Sequence, residues 1–124
     1  MRYLLGMQLA ICSLAAMPAL AGDCPAGGRA EKLALIAKAP SCQEAARLFK
    51  LCAIGARLDG ELAASANEVC EKNSFAKMTK KKREAYEAAI SACNAPYAKK
   101  RGSINRSAAA RCRVDVMEDY AKRH

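Results

Sequence analysis

Residues 41–70 read SCQEAARLFKLCAIGARLDGELAASANEVC, and this stretch predicts two helices joined by a turn. Ser41, followed three residues later by Glu44, forms a capping box, which marks the start of a helix. Apolar residues then recur at helical spacing, as they do on the buried face of an amphipathic helix. Asp59-Gly60 is the predicted turn, and Asp59 is the predicted N-cap of the second helix.

The rest of the chain from residue 23 onward also has a helical composition. Valine and isoleucine are few, and no run alternates apolar and polar residues as strands do. Breaks are predicted at Pro40, at Asn73-Ser74 and at Gly102-Ser103. The predicted helices span 29–39, 42–57, 59–72, 77–93 and 104 (or 106)–122. We therefore predict an all-α fold, a small disulfide-stapled bundle of about four helices arranged as two helical hairpins.

The first 21 residues, MRYLLGMQLAICSLAAMPALA, have the organisation of a secretory signal peptide. Arg2 provides the positive start, Leu4–Ala16 is an uncharged apolar run, and Ala19-Leu20-Ala21 has the small-residue form of a cleavage site. The alternative is a membrane anchor, but the run is shorter than the roughly 20 residues that cross a bilayer. We predict that residues 22–124 form a single exported domain, periplasmic or secreted.

Seven cysteines occur in the chain, and Cys12 would be lost with the signal peptide. An even number of cysteines in a short exported chain predicts a disulfide framework. The alternative is structural zinc, which usually shows a close C-x-x-C pair or clustered histidines. The only histidine here is His124. The six predicted disulfide cysteines are Cys24, Cys42, Cys52, Cys70, Cys93 and Cys112.

The spacing of the cysteines suggests a pairing, because residues at equal distances from the turn of a helical hairpin lie opposite each other. Cys52 and Cys70 flank the first predicted turn almost evenly, and Cys93 and Cys112 flank the Gly102-Ser103 turn evenly. Six cysteines allow 15 pairings. The pairs favoured by this spacing are Cys52–Cys70 and Cys93–Cys112, which leaves Cys24–Cys42.

The composition indicates why such a chain needs disulfides. Hydrophobic residues make up 52% of the sequence, but much of this is alanine, aromatics are 5% and tryptophan is absent. Alanine contributes far less on burial than the roughly 1.5–3 kcal/mol of a leucine. A core of this kind is marginal, and each disulfide can add roughly 3 kcal/mol by restricting the unfolded chain.

The chain is strongly basic, with a formal net charge of +9 that becomes +8 when Arg2 leaves with the signal peptide. Such a surface favours anionic partners, namely lipid head groups, acidic polysaccharide, nucleic acid or an acidic protein. The alternative is that the charge serves only solubility. The candidate anion-binding residues are Lys80, Lys81, Lys82, Arg83, Lys99, Lys100, Arg101, Arg106, Arg111 and Arg113.

The run Lys80–Arg83 stands near the start of a predicted helix, where cations oppose the helix dipole. Either the helix begins several residues earlier, or the cluster is tolerated for a purpose. Pairing of Arg83 with Glu87, four residues on, would make the run part of a solvated face, which is the favoured interpretation. Tyr86 and Tyr97 offer stacking surfaces, but core or boundary packing is the preferred interpretation for both.

Signatures of catalysis are missing from the sequence. No internal histidine is present to act as a base. Nor does the chain contain a nucleophile elbow or a glycine-rich phosphate loop. We predict a protein that is not an enzyme, has no cofactor and no metal, takes no small-molecule substrate and exists as a monomer.

Residues 52–70, CAIGARLDGELAASANEVC, resemble part of the small secreted bacterial proteins grouped with the LprI-type lysozyme inhibitors. Those proteins have a cysteine, a Leu-Asp-x-Glu-Leu element on a helix, and a second helix that ends in a cysteine. The matching residues are Cys52, Leu58, Asp59, Glu61 and Leu62, with Tyr86 and Cys93 in the second part. The resemblance implies a helical periplasmic binding protein, with lysozyme inhibition as one function. Residues 97–115, YAKKRGSINRSAAARCRVD, are similar to the ends of small exported proteins of alphaproteobacteria.

Together these features predict an exported cationic helical protein that binds an anionic component of the cell envelope, such as lipid, polysaccharide or acidic protein. Two other functions are kept. One is a periplasmic inhibitor of a cell-wall hydrolase such as lysozyme. The other is a structural envelope protein without a ligand.

Overall fold

Five α-helices make up most of residues 23–123, the part of the chain that the structure, a computed structural model, describes. The predicted signal peptide over residues 1–21 lies outside this part. The helices are α1 (Arg29–Ala37), α2 (Cys42–Cys52), α3 (Leu58–Cys70), α4 (Lys80–Asn94) and α5 (Ser103–Lys122). A π-helical turn, Glu71–Phe75, extends α3, and a 3-10 turn, Ala95–Tyr97, follows α4.

The all-α prediction is confirmed, and no strand occurs within residues 23–123. The count of about four helices is wrong, because the short α1 packs against both α2 and α3 and is a full member of the bundle. Its buried face is carried by Ile36, which is fully enclosed. The bundle therefore has five helices.

Helix α5 is the axis of the bundle, because α2, α3 and α4 all pack against it. The starts of α3 and α5 meet where Asp59 binds Ser107, so these two helices run in the same direction. Helix α4 runs the opposite way, since Cys93 near its end is bonded to Cys112 in the first half of α5. This topology brings the end of α4, the start of α3 and the start of α5 to one end of the molecule.

The core is built from small side chains with a few large ones between them. Phe49, Phe75, Ile36 and Leu62 are the largest fully buried apolar residues, and alanines fill much of the remaining interface. The ring centroids of Phe75 and Tyr86 lie 4.7 Å apart, within the range of favourable aromatic pairs. The core is thus as poor in bulk as the composition predicts.

The start of α2 is as predicted, but its end and the start of α3 are not. Ser41 Oγ accepts a hydrogen bond from the Glu44 amide at 3.1 Å, so the predicted cap is present. Helix α2 then ends at Cys52, five residues before the predicted end, and Gly55 adopts a φ of 79°. A φ in this range is open to glycine at no steric cost, so a turn forms here.

The prediction that Asp59 is the N-cap of α3 is wrong. Helix α3 already begins at Leu58, and the Asp59 carboxylate points back into the preceding turn. It accepts hydrogen bonds from the backbone amides of Ile54 at 3.2 Å and Gly55 at 2.9 Å. The carboxylate therefore closes the turn between α2 and α3, which spans residues 53–57.

All six predicted cysteines form disulfides, but two of the three predicted pairs are wrong. Cys93–Cys112 is confirmed, whereas the structure joins Cys24 to Cys52 and Cys42 to Cys70. Ala56 is the midpoint between Cys42 and Cys70, and it lies within the observed turn. Cys42 and Cys70 are therefore equally distant from the observed turn, and the predicted pairs are wrong because the predicted turn lies several residues too late in the chain. Three disulfides in one short chain are consistent with maturation in an oxidising compartment.

The buried stripe of α5 also differs from the predicted one. Ala108, Cys112, Val116 and Tyr120 are spaced four residues apart in the sequence, which predicts that they share one face of this helix, and the structure leaves them only half-buried. The enclosed residues are Ser107, Ala109, Ala110, Val114, Met117 and Ala121. Because three helices pack around α5, its buried surface is broad, and a single stripe of spacing four does not describe it.

Helix α4 begins at Lys80, so the basic run occupies its first turn. The helix does not start earlier, as one of the two alternatives required. The Thr79 side chain caps it by accepting from the Lys82 amide at 3.2 Å. The exposed cations of this turn therefore lie at the positive end of the helix dipole, where they are unfavourable.

Replacing Lys81 with glutamate is expected to raise the free energy of unfolding by about 1 kcal/mol at low salt. The change removes an exposed cation from the first turn of α4 and adds an anion there. Urea unfolding followed by circular dichroism measures the effect. Lys81→Gln serves as the neutral control and should give about half the gain. A gain that persists in molar salt would contradict the dipole explanation, because salt screens this interaction.

Candidate anion-binding groove

A groove lies at the end of the bundle where α3 and α5 begin and α4 ends, and its volume is about 500 Å³. We call it the cationic groove and define it by four basic side chains and two polar ones. Its cations come from the α2–α3 turn, the loop before α5 and α5 itself. The six residues are Arg57, Lys100, Arg106, Arg113, Asn94 and Tyr97.

The helical repeat of α5 explains why two of the cations face the groove. Arg106 and Arg113 are two turns apart and so project from the same side of the helix, about 10 Å apart along its axis. Ala109 lies between them and also lines the groove. Its short side chain leaves the space open, and Gly60 on the facing wall of α3 does the same.

Arg113 is the most unusual residue of the groove because it is half-buried without a carboxylate partner among the described residues. Its Nη1 donates to Asn94 Oδ1 at 2.7 Å. Burial lowers the pKa of Arg113 below its ordinary value, which reflects the loss of water around the charge. A guanidinium has five N–H donors, so most of its bonding capacity remains open to a ligand.

The carboxylates near the groove do not neutralise it. Glu61 lines the groove but forms an ion pair with Arg29 at 2.5 Å. Asp59 is fully buried, and its oxygens accept from two backbone amides and from the Ser107 hydroxyl. Arg57, Lys100 and Arg106 are exposed and form no ion pair within the described part of the chain. The groove therefore carries a clear excess of positive charge.

The candidate anion-binding residues fall in two stretches of the sequence, Lys80–Arg83 and Lys99–Arg113, and these stretches do not form one surface. Lys80 begins α4 and Asn94 ends it, so the run Lys80–Arg83 starts about 21 Å from the groove end of the helix. Arg83 is engaged there: Nη1 pairs with the Glu71 carboxylate at 2.7 Å, and Nη2 donates to the Phe75 carbonyl at 2.8 Å. The hydrogen bond with Glu71 raises the pKa of Arg83. The predicted pairing of Arg83 with Glu87 is replaced by this longer-range one.

The second basic stretch is divided between two sides of the molecule. Lys100, Arg106 and Arg113 line the cationic groove, and Lys99 and Arg101 are exposed beside it in the loop before α5. Arg111 lies elsewhere and donates to the Ala53 carbonyl at 3.3 Å. Helical geometry accounts for the split, since position 111 is turned well away from 106 and 113 on α5.

Arg57 and Asn94 are groove residues that the sequence did not reveal. Arg57 is an isolated cation more than twenty residues before the first basic run, and only the fold brings it to the start of α5. Asn94 is the last residue of α4, and its side chain is also the partner of Arg113.

The two tyrosines have different surroundings. Tyr86 is buried between Phe75 and Tyr120, so its predicted core position is confirmed. Tyr97 is half-buried and lines the cationic groove. Its ring centroid lies 5.8 Å from Lys100 Nζ. A partly exposed ring beside a cation suits both boundary packing and contact with a ligand.

A second groove of about 430 Å³ continues from the cationic one between α3 and α4. The two share Gly60 and Arg113, and Met117 of α5 lines the second groove. Tyr86 bridges the walls by donating its hydroxyl to Asn67 Oδ1 at 3.0 Å. Its charges are balanced, with Arg83 and Arg113 against two glutamates, so it lacks the positive excess of the first groove.

Stability at alkaline pH is expected to depend on Tyr86. Burial raises the pKa of Tyr86 to about 12 from an ordinary value near 10. The unfolded chain therefore releases this proton first, and stability that is complete below pH 10 falls as the pH rises towards 12. The expected loss at pH 11 is about 1 kcal/mol, measured by urea unfolding at pH 8 and pH 11.

Two conservative variants separate this contribution from other alkaline effects. Tyr86→Phe loses the bond to Asn67 at every pH but should lack the alkaline loss that Tyr86 causes. Tyr97→Phe is the control and should show the same loss of stability at alkaline pH as the wild type. An equal alkaline loss in Tyr86→Phe and the wild type would contradict the assignment.

Neither a metal cluster nor a membrane-spanning helix is found in residues 23–123. No three histidine, cysteine or acidic side chains of this part are grouped as a metal site would require. No helix in it combines the length and the hydropathy needed to cross a bilayer.

Comparison with protein-family models, curated proteins and solved structures gave no match. The resemblance of residues 52–70 to the lysozyme inhibitors stays a prediction from those residues alone.

Proposed function

We propose that this protein is an exported, monomeric binding protein that holds an anionic component of the cell envelope in the cationic groove. The ligand would present a phosphate or carboxylate group to Arg57, Lys100, Arg106 and Arg113. The signal-like sequence over residues 1–21 and the three disulfides support export to the periplasm or beyond.

The single observation that carries the proposal is the half-buried, carboxylate-free guanidinium of Arg113. Withdrawing a charge from water costs free energy that an opposite charge normally offsets. Asn94 supplies only one neutral acceptor, and the cations that share the groove add repulsion. An anion bound between Arg106 and Arg113 would relieve both costs and would accept paired N–H bonds from either guanidinium.

The residues lining the groove suit the binding of a ligand rather than catalysis. They include no serine, cysteine or histidine, so the Ser–His and Cys–His pairs of nucleophilic catalysis are missing among them. The excess of arginine suits recognition of a fixed anion, since the guanidinium stays charged over the physiological pH range. We therefore propose that the protein is not an enzyme and requires no cofactor.

Calorimetric titration of the oxidised protein, Gly22 to His124, tests the proposal with two probes. Glycerol 3-phosphate represents a lipid-derived phosphate, and an oligogalacturonide represents an acidic polysaccharide. We expect one of them to bind at low salt and to weaken as salt screens the charges. The probe that binds more tightly identifies the source of the anion.

Charge-matched variants locate the binding site. Arg106→Gln/Arg113→Gln should weaken binding at least tenfold, whereas Lys80→Gln/Lys81→Gln, which removes the same charge at the far end of α4, should change it less than twofold. Arg57→Gln is a milder groove variant at an exposed position, so it should weaken binding without affecting the fold. Failure of both probes to bind, or equal weakening by the two double variants, would contradict the proposal.

A further inference from the structure

Two isoleucines project into solvent although the core is short of large apolar side chains. Ile54 in the α2–α3 turn is 69% exposed, and Ile104 in the first turn of α5 is 78% exposed. They are the only exposed large apolar residues in the part of the chain that the structure describes. A single exposed isoleucine is normal on a protein surface, but two of them at the same end of the bundle indicate an interaction surface.

The structure brings both isoleucines to the same end of the bundle. The Asp59 carboxylate accepts from the backbone amide of Ile54 at 3.2 Å and from the Ser107 hydroxyl at 2.5 Å. Ile104 precedes Ser107 by one helical turn. The α2–α3 turn and the start of α5 are thus joined through one buried carboxylate, and the two isoleucines extend outward from them.

Basic residues lie close to both isoleucines along the chain at this end, which we call the isoleucine end. Lys99, Arg101 and Arg57 are exposed there, and Arg111 donates to the carbonyl of Ala53, the residue before Ile54. None of these cations is in an ion pair within residues 23–123. The nearest carboxylates are engaged, Asp59 in the turn and Glu61 with Arg29.

We propose that the isoleucine end docks on an anionic lipid surface, with Ile54 and Ile104 inserted below the head groups and the surrounding cations on the phosphates. Apolar side chains among basic ones are the arrangement by which peripheral proteins bind such surfaces. Each cation near an anionic leaflet adds to the attraction within a Debye length of it.

The small apolar area argues against a protein partner at this end. Specific protein interfaces bury about 800 Å² on each side and are enriched in aromatic residues at their centre. Two isoleucines among long flexible cations offer neither the area nor the aromatic anchors. A lipid surface requires no matched shape, and it accepts separate aliphatic side chains.

Sedimentation with lipid vesicles tests the proposal using the oxidised protein, Gly22 to His124. Wild-type protein should bind vesicles of phosphatidylcholine mixed with phosphatidylglycerol and should not bind vesicles of phosphatidylcholine alone. Ile54→Ser/Ile104→Ser should weaken binding to the mixed vesicles at least tenfold. Both positions are exposed, so circular dichroism should be unchanged.

Charge reversal at matched positions separates this end from the rest of the basic surface. Lys99→Glu/Arg101→Glu, which leaves the residues of the cationic groove intact, should abolish vesicle binding, whereas Lys80→Glu/Lys81→Glu, with the same change in net charge, should retain at least half of the affinity. The wild-type chain has no tryptophan. The indole introduced by Ile54→Trp therefore reports insertion by a blue shift of its fluorescence, and this variant should also bind more tightly.

The proposal is overturned if wild-type protein does not bind the mixed vesicles, if the serine variant binds them as wild type does, or if the two charge-reversal variants behave alike. It does not depend on the proposed function, because neither isoleucine lines the cationic groove. Titration of the serine variant with glycerol 3-phosphate and the oligogalacturonide distinguishes the two. Loss of vesicle binding with probe binding intact supports separate lipid docking, and loss of both would indicate a folding defect and contradict the separate role.

Discussion

Replacing Cys42 and Cys70 together with alanine is expected to lower the free energy of unfolding by about 4 kcal/mol. The bond closes a segment of 28 residues, and restriction of the unfolded chain over that length is worth roughly 3.5 kcal/mol. Both cysteines are fully buried, so removing the two sulfurs also leaves a small void in the core. Against a typical total of about 5–15 kcal/mol, this is a large fraction.

Urea unfolding followed by circular dichroism measures the loss, and Cys93→Ala/Cys112→Ala is the matched control. That bond closes 19 residues, and Cys112 is only half-buried, so we expect a loss nearer to 3 kcal/mol. A loss below about 1 kcal/mol for Cys42→Ala/Cys70→Ala would mean that the unfolded chain is already restricted without the bond. It would also contradict the view that this alanine-rich core depends on disulfides.

Substitution of Asp59 by alanine is expected to cost about 3 kcal/mol. The side chain is fully buried and accepts three hydrogen bonds, from the Ile54 and Gly55 amides and from Ser107 Oγ. Hydrogen bonds to a charged group contribute roughly 1.5–3 kcal/mol each, and water can replace part of the loss at the half-buried turn. Because this residue joins the α2–α3 turn to the start of α5, its removal also loosens the end that carries the cationic groove.

Two further variants separate the individual bonds of Asp59. Ser107→Ala should cost about 1 kcal/mol, and Asp59→Asn should fall between this value and that of Asp59→Ala. In the double variant Asp59→Ala/Ser107→Ala the losses should be less than additive, since the two side chains share a bond. Full additivity would show that Ser107 and Asp59 act independently, contrary to the geometry.

Local signals in the sequence were sufficient where the chain itself decides the structure. Ser41 marked the start of α2 because its hydroxyl satisfies an amide three residues away. The Cys93–Cys112 pair followed from the evenly placed Gly102-Ser103 turn, where Gly102 adopts a φ of 113°. In both places the determining residue lies at the feature it sets: Ser41 at the start of α2, and Gly102 in the turn before α5.

The end of α2 was not predictable from local signals. Residues 53–57 are mostly compatible with a helix, and Gly55 is the one break among them. What fixes the turn is the Asp59 side chain, which binds two amides behind it and is itself held by Ser107 from a distant helix. An error of five residues in the turn was enough to assign two of the three disulfides wrongly.

The candidate site was predictable only in part for a similar reason. Composition predicted a cationic surface, and three of the candidate anion-binding residues, Lys100, Arg106 and Arg113, line the cationic groove. Their convergence with Arg57 depends on the parallel arrangement of α3 and α5, which no spacing within the sequence encodes. The run Lys80–Arg83 was linked to them by charge alone, and the length of α4 keeps it away.

The disulfide pattern divides the chain into two parts with respect to proteolysis. The bonds Cys24–Cys52 and Cys42–Cys70 overlap, so a peptide bond cut anywhere between Cys24 and Cys70 leaves the pieces covalently joined. A cut inside the loop closed by Cys93–Cys112 also leaves the pieces joined, even after one of the exposed lysine or arginine residues of this loop. Between Cys24 and Cys112, only a cut in residues 70–93 separates the molecule into two fragments, and a cut after Cys112 releases the end of α5. A trypsin-like enzyme must therefore cut between Lys72 and Arg83 to separate α1–α3 from α4 and α5, and a single cut elsewhere between Cys24 and Cys112 leaves a nicked molecule of full mass.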